Sequence, residues 1–170
     1  MQPIFEQLAA YNQWANQTLA GKLRTLPEEK LRQPLASSFP SMHQTVLHMW
    51  VASSAWYRRL WPQDGVEQPG LDYGGAFDQV VDNMLRLDAR WLERIREAAP
   101  GWLEQSIRYQ NSRQQTFAEP VWQILWHLFN HNTYHRGQLT TLLHQAGEGQ
   151  GIPGTDFILF CRLPGNTPVQ

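Results

Sequence analysis

Cysteine is nearly absent from this chain, lysine and arginine never form a run, and no apolar stretch approaches the ~20 residues a membrane helix needs. Each absence removes a class of protein. Cys161 stands alone, so an internal disulfide is excluded, in keeping with a reducing compartment. Charged residues make up 17 % of the chain, the net charge is −1 and the sequence pI is about 6.6. Electrostatics therefore make no case for nucleic acid or an anionic membrane as partner. The first stretch, "MQPIFEQLAAYNQWANQTLA", has neither a basic region nor a continuous apolar core. It is not expected to be a secretory signal, and a soluble cytoplasmic protein is the default expectation. Internal repeats, low-complexity segments and βαβ alternation are missing too, which argues against Rossmann and TIM-type folds.

What is present is a hydrophobic fraction of 42 % with eight tryptophans in 170 residues. That is enough for one domain, taken as residues 1–170, with an aromatic-rich core. Four segments carry helical periodicity. The first runs from Gln2 to Leu23, with Ile4, Leu8, Tyr11, Ala15 and Leu19 on one face. A proline-punctuated loop follows, with a short helical turn at Pro27–Leu31. The second helix starts at Ser41, where Ser41 and Gln44 form a capping-box pattern, and ends near Trp61. The third spans Ala76 to Ala99, with Phe77, Val81, Met84, Trp91 and Ile95 in its stripe. "SIRYQ" and "QQTFA" around Asn111-Ser112 suggest a small hairpin. The fourth helix opens at Pro120 and ends near Gly147. "TDFILFCRL" is read as a last short element capped by Thr155. The pattern predicts an all-α chain, a four-helix bundle of antiparallel or crossover type, with the small hairpin before its last long helix.

Four of the six histidines fall within "HLFNHNTYHRGQLTTLLH". His131 and His135 are one helical turn apart, ~6 Å in rise and ~40° in projection, so both rings can reach one ion. The spacing alone is weak. The stripe adds to it: Val121, Ile124, Leu128, Leu139 and Leu142 line one face, and His131 and His135 fill the gap. Buried imidazoles need hydrogen-bond partners or a metal. His144 is expected to face solvent, and His127 could join the site or only line it. A third ligand is sought in "SMHQTVLHMW". His43 and His48 point to different faces, and His43 sits in the first turn, where the helix dipole disfavours a cation. His48 shares its face with Ser41, Thr45, Ala52 and Ala55, all small, leaving room for close helix approach. His48, His131 and His135 are thus the expected metal ligands, with His43 at the rim. Three neutral nitrogens with an open position suit a divalent metal, zinc or nickel first and iron also. Position 132 is Asn, so the zinc-protease pattern His-Glu-x-x-His is absent. Asp88, on the third-helix stripe, is read either as orienting a ligand or, slightly favoured, as pairing with an arginine or sitting at the bundle's edge. Arg136 is read as a surface residue or an anion holder.

"NHNTYHRGQL" at 130–139 resembles the signature of the DinB (damage-inducible) family. "YNQWANQTL" at 11–19, the second-helix segment from Ser41 to Pro62, "RLDARWLERI" at 86–95 and "GTDFILFCR" at 154–162 are similar to further family motifs. The resemblance implies a four-helix bundle, commonly homodimeric, with a divalent metal on His48, His131 and His135. It also implies a small-molecule substrate, with a low-molecular-weight thiol as the leading partner. The wider superfamily includes bacillithiol S-transferases and mycothiol-dependent maleylpyruvate isomerases. Three functions follow: a metal-dependent thiol transferase or isomerase, a hydrolase using metal-bound water, or a non-catalytic, stress-related metal-binding protein. No catalytic residue beyond the ligands is assigned.

Overall fold

The computed structural model describes residues 1–111 and 113–166; Ser112 of the expected hairpin turn and the last four positions of the expected domain lie outside the described residues. Four long helices form the body: α1 (Gln2–Leu23), α3 (Met42–Leu60), α4 (Phe77–Arg96) and α5 (Val121–Gln145). The short helices α2 (Glu28–Arg32) and α6 (Phe157–Cys161) and the strands β1 (Ser106–Gln110) and β2 (Thr116–Pro120) complete it. No described helix is long and apolar enough to cross a membrane.

Helix α1 packs against α4 and α5, and α3 packs against the same two. So α1 and α3 lie across one diagonal of the bundle, and α4 and α5 across the other. Each diagonal needs a long connection: residues 24–41, which hold α2, and residues 97–120, which hold the hairpin. The bundle is therefore of the crossover type. The strands pair antiparallel, with Tyr109 opposite Phe117 and Ser106 opposite Pro120. β2 starts at Thr116 and runs straight into α5, two residues later than the expected second segment.

Local chemistry explains the helix ends. Ser41 Oγ accepts from the Gln44 backbone N–H at 3.1 Å, satisfying one of the free donors at the start of α3. The Gln2 side chain donates to the carbonyls of Ile95 and Arg96 at 3.0 and 3.2 Å, closing the end of α4. That helix stops at Arg96, short of the expected Ala99, ahead of the Pro100-Gly101 turn with Gly101 at φ +79°. α5 ends in a Schellman turn: Glu148 N–H bonds the Leu143 carbonyl at 2.9 Å and Gly147 N–H the His144 carbonyl at 3.1 Å. Gly147 there has φ +79°, which an L side chain would resist. Pro120 is the cap of α5 rather than its first helical residue, and Asp156, not Thr155, precedes α6. Thr155 offers its carbonyl to the Tyr11 hydroxyl instead, at 2.8 Å.

The inner face of α1 keeps Tyr11, Ala15 and Leu19 of the expected stripe but turns Ile4 outward and adds residues the stripe did not contain. Ile4 is 56 % exposed and Phe5 is buried, together with Ala9, Asn12, Ala15, Asn16 and Leu19. The two buried asparagines are the reason, because an apolar-only pattern cannot see an inward polar side chain. They bind Asp88 on α4, donating to its two carboxylate oxygens at 3.0 and 2.9 Å. Their own carbonyl oxygens accept from Arg136 Nη1 on α5, at 2.9 and 3.0 Å. Arg136 is buried, which corrects its reading as a surface or anion-holding residue. Asp88 thus pairs with an arginine through two amides, as favoured, and is bonded to no ligand histidine. Four long-range bonds pin α1, α4 and α5 together at the level of His135.

Candidate metal centre

His48 comes from α3, and His131 and His135 from successive turns of α5. These two helices are in contact, and the small Ala52 and Ala55 beside His48 keep that face uncrowded. The three rings converge through one kind of atom. His131 Nε2 lies 3.1 Å from His48 Nε2 and 3.1 Å from His135 Nε2. One ligand atom from each residue lies within 4.8 Å of the others. All three expected ligands are therefore brought together, with His135 buried and the other two half-buried.

The protonation chemistry of this cluster fits a cation. His135 Nδ1 lies 2.8 Å from Gln138 Oε1, and an amide oxygen can only accept, so Nδ1 carries the proton. His135 Nε2 is then a bare lone pair aimed at the other two rings. A single N–H on His131 Nε2 could satisfy one neighbour but not both, and His131 Nδ1 is buried without a partner. A divalent ion held by the three Nε2 atoms would satisfy all three of their lone pairs at once, with the His131 proton then on Nδ1. Burial keeps the rings neutral: it lowers His48 to about 4, helped by His135, and His131 to about 3, helped by the neighbouring rings. His135 is lowered by burial as well, against the pull of Gln138. Neutral imidazole is the form that donates to a metal.

Two surrounding contacts were not legible in the spacing of histidines. Phe39, from the loop before α3, stacks on His48 with ring centroids 4.1 Å apart and also faces His135 at 5.7 Å. Gln138 donates through Nε2 to Ser38 Oγ at 2.9 Å, so the same amide that orients His135 holds this loop. Gln138 lies three residues beyond His135, on the next turn of the same helix. Phe39 carried no signal beyond being an aromatic in a proline-rich loop.

The remaining histidines separate cleanly. His43 is 1 % exposed and is not a rim residue. Its Nε2 sits 3.0 Å from Arg32 Nη2 and 3.2 Å from the Gly75 carbonyl, packed between α2 and the start of α4. His144 is exposed, as expected. His127 stands outside the three-nitrogen cluster but lines it, its ring 5.7 Å from His131 and 5.6 Å from Trp56. Among the described residues no fourth His, Cys, Asp or Glu joins the group.

With this geometry in view, likeness to known proteins is decisive at one level. The profile of the DinB family matches residues 1–163. The chain belongs to the DinB family. Its similarity to Protein DinB of Bacillus subtilis (strain 168) is 28 % identity over 148 residues, covering 83 % of this chain and 85 % of that one. A crystal structure of a DinB-like protein from Bacillus cereus ATCC 10987 superposes with a TM-score of 0.63 at 22 % identity, covering 88 % of this chain and 94 % of that chain. The latter likeness is one of fold. It agrees with the all-α DinB-like architecture, and the three histidines of this DinB-family chain stand close enough to hold a divalent metal.

Proposed function

We propose that this DinB-family protein is a divalent-metal-dependent enzyme that acts with a small thiol, as an S-transferase or thiol-dependent isomerase, using His48, His131 and His135 as its three metal ligands. The observation that carries the reading is the convergence of three Nε2 atoms without a fourth protein donor among the described residues. A site closed by protein alone would suit a structural ion; three nitrogens leave a position for an exogenous ligand. A divalent ion held there supplies a Lewis acid that favours the thiolate of a bound thiol. Zinc or nickel matches the nitrogen donor set, and iron fits it also.

The chain's own residues prepare that position. Gln138 holds His135 in the tautomer that presents Nε2. Phe39 covers one face of His48 and keeps water from it. The Arg136 network fixes the rotation of α5 next to His135. Hydrolysis would call for a base beside the ion, and Asp88 is occupied by Asn12 and Asn16. The homodimer expected from the resemblance is part of the same proposal and is read from the mass of the protein in solution.

The test is spectroscopic. Cobalt-substituted protein titrated with small thiols should show new sulfur-to-metal absorption. An unchanged spectrum across cysteine, bacillithiol and mycothiol would remove the thiol reading. If His48→Ala combined with His131→Ala leaves bound metal at wild-type stoichiometry, the ligand set itself is wrong.

A further inference from the structure

We infer that the metal centre is extended by an anion subsite at Arg59, which takes the carboxylate of an elongated substrate whose other end reaches the three histidines. The inference rests on the proposed site and adds the class of its substrate. His48 and Arg59 are eleven positions apart on α3, so they share a face and are separated by roughly 16 Å along the axis. Between them that face carries the small Ala52 and Ala55, flanked by Val51 and Trp56. All four residues are half-buried, so this side of α3, flanked by β1 and α5, keeps partial access to solvent. Arginine side chains in a helix lean toward its N-terminus, which brings the guanidinium back toward His48.

The surroundings of Arg59 are those of a held cation without a counter-ion. Its guanidinium carbon lies 4.3 Å from the centre of the Trp56 ring and 4.6 Å from that of Tyr109. The two aromatic rings lie 4.9 Å apart, nearly perpendicular, and fix the guanidinium from two sides. Among the described residues it makes no ion pair, as is true of most arginines of the chain, and what sets it apart is its place against two rings. Its single hydrogen bond is a long one, 3.4 Å to the Gln110 carbonyl. Five N–H donors on a pre-positioned planar fork therefore keep most of their capacity free, and that fork matches the two oxygens of a carboxylate. The wall continues to the metal without a break: Trp56 touches His127, and His127 touches His131. An extended molecule with a thiol at one end and a carboxylate at the other would span the alanine floor between the two ends.

Two measurements on the full chain decide this. The cobalt-loaded protein is titrated with mercaptohexanoate and with mercaptohexanol, read by the cobalt absorption. The acid should bind about tenfold tighter or better, and Arg59→Met should abolish the difference while leaving the alcohol's affinity unchanged. Equal affinities, or a preference that survives Arg59→Met, would overturn the subsite. Separately, the Arg59 Nε–H resonance of 15N-labelled protein is followed during titration with adipate, with chloride at equal ionic strength as control. A saturating shift with adipate alone supports the subsite even if no thiol reaches the metal, in which case the thiol reading falls by itself. A thiol response without acid preference, together with an unmoved Arg59 resonance, removes the subsite and leaves the thiol reading standing.

Discussion

Gln138 Oε1 accepts from His135 Nδ1 at 2.8 Å while Gln138 Nε2 donates to Ser38 Oγ at 2.9 Å. One amide thus sets the tautomer of His135, a proposed metal ligand, and tethers the loop whose Phe39 stacks on His48, another. Gln138→Leu should lower metal affinity about 10- to 100-fold with little change in helicity. Chelator competition at constant pH, alongside circular dichroism, checks it. Gln138→Glu keeps the acceptor and should retain most of the affinity; a loss equal to that of Gln138→Leu would count against the orienting role.

Phe39 should matter for the metal but little for the fold. Phe39→Ala removes a half-buried ring from the loop, outside the main core. Metal should exchange faster by several-fold in stopped-flow chelation, with an urea midpoint close to that of the wild type. Unchanged exchange would show that the ring does not shield His48.

The Asp88–Arg136 network carries stability. Asp88 is 2 % exposed and Arg136 3 %, and burial pushes the Asp88 carboxyl up to about 7, so above that pH removing one charge leaves the other buried and uncompensated. Asp88→Ala should cost about 3 to 5 kcal/mol, measured by urea denaturation of the metal-free protein. Asp88→Ala and Arg136→Met together should cost clearly less than the sum of the two, because the coupling is lost only once. Additive losses would mean the asparagines, not the charges, hold the network.

The metal-free protein should lose stability in acid through its ligand histidines. Burial holds His48 at about 4 and His131 at about 3, below the ordinary 6.5 of an imidazole. Below that ordinary value the unfolded chain takes up protons that the native chain refuses. The contribution is therefore complete above 6.5 and is lost as pH falls toward the native values. His131→Gln removes one such group. Its urea midpoint should fall less steeply than the wild type's between about pH 7 and about pH 4. Parallel curves would show that His131 is protonated as readily in the native state as in the unfolded one.

Much of the fold was written in local pattern. The helix boundaries at Gln2, Leu23, Ser41 and Pro62 follow from proline, a capping serine and hydrophobic period, and they appear almost unchanged in three dimensions. Helical periodicity also pointed to His131 and His135, and the small residues on the His48 face pointed to the third nitrogen. Where reasoning along one helix at a time failed, the cause was polar burial. Arg136 and Asn12 look like surface residues when apolar stripes alone are counted, yet each faces a partner on another helix. His43 was placed at the rim by its position in a first turn; α2 and the Gly75 carbonyl cover it.

The sequence by itself determined the helices, the crossover-length connections and two histidines a turn apart on one inner face, because backbone geometry and side-chain period are local properties. Only the tertiary structure brought His48 within 3.1 Å of His131 and set Gln138 and Phe39 against the histidine rings. It alone joined Asp88 to Arg136 through two asparagines and left Arg59 between two rings, without an ion pair among the described residues. Those are contacts between residues far apart in the chain, and their geometry exists only once helices from opposite corners of the bundle have packed.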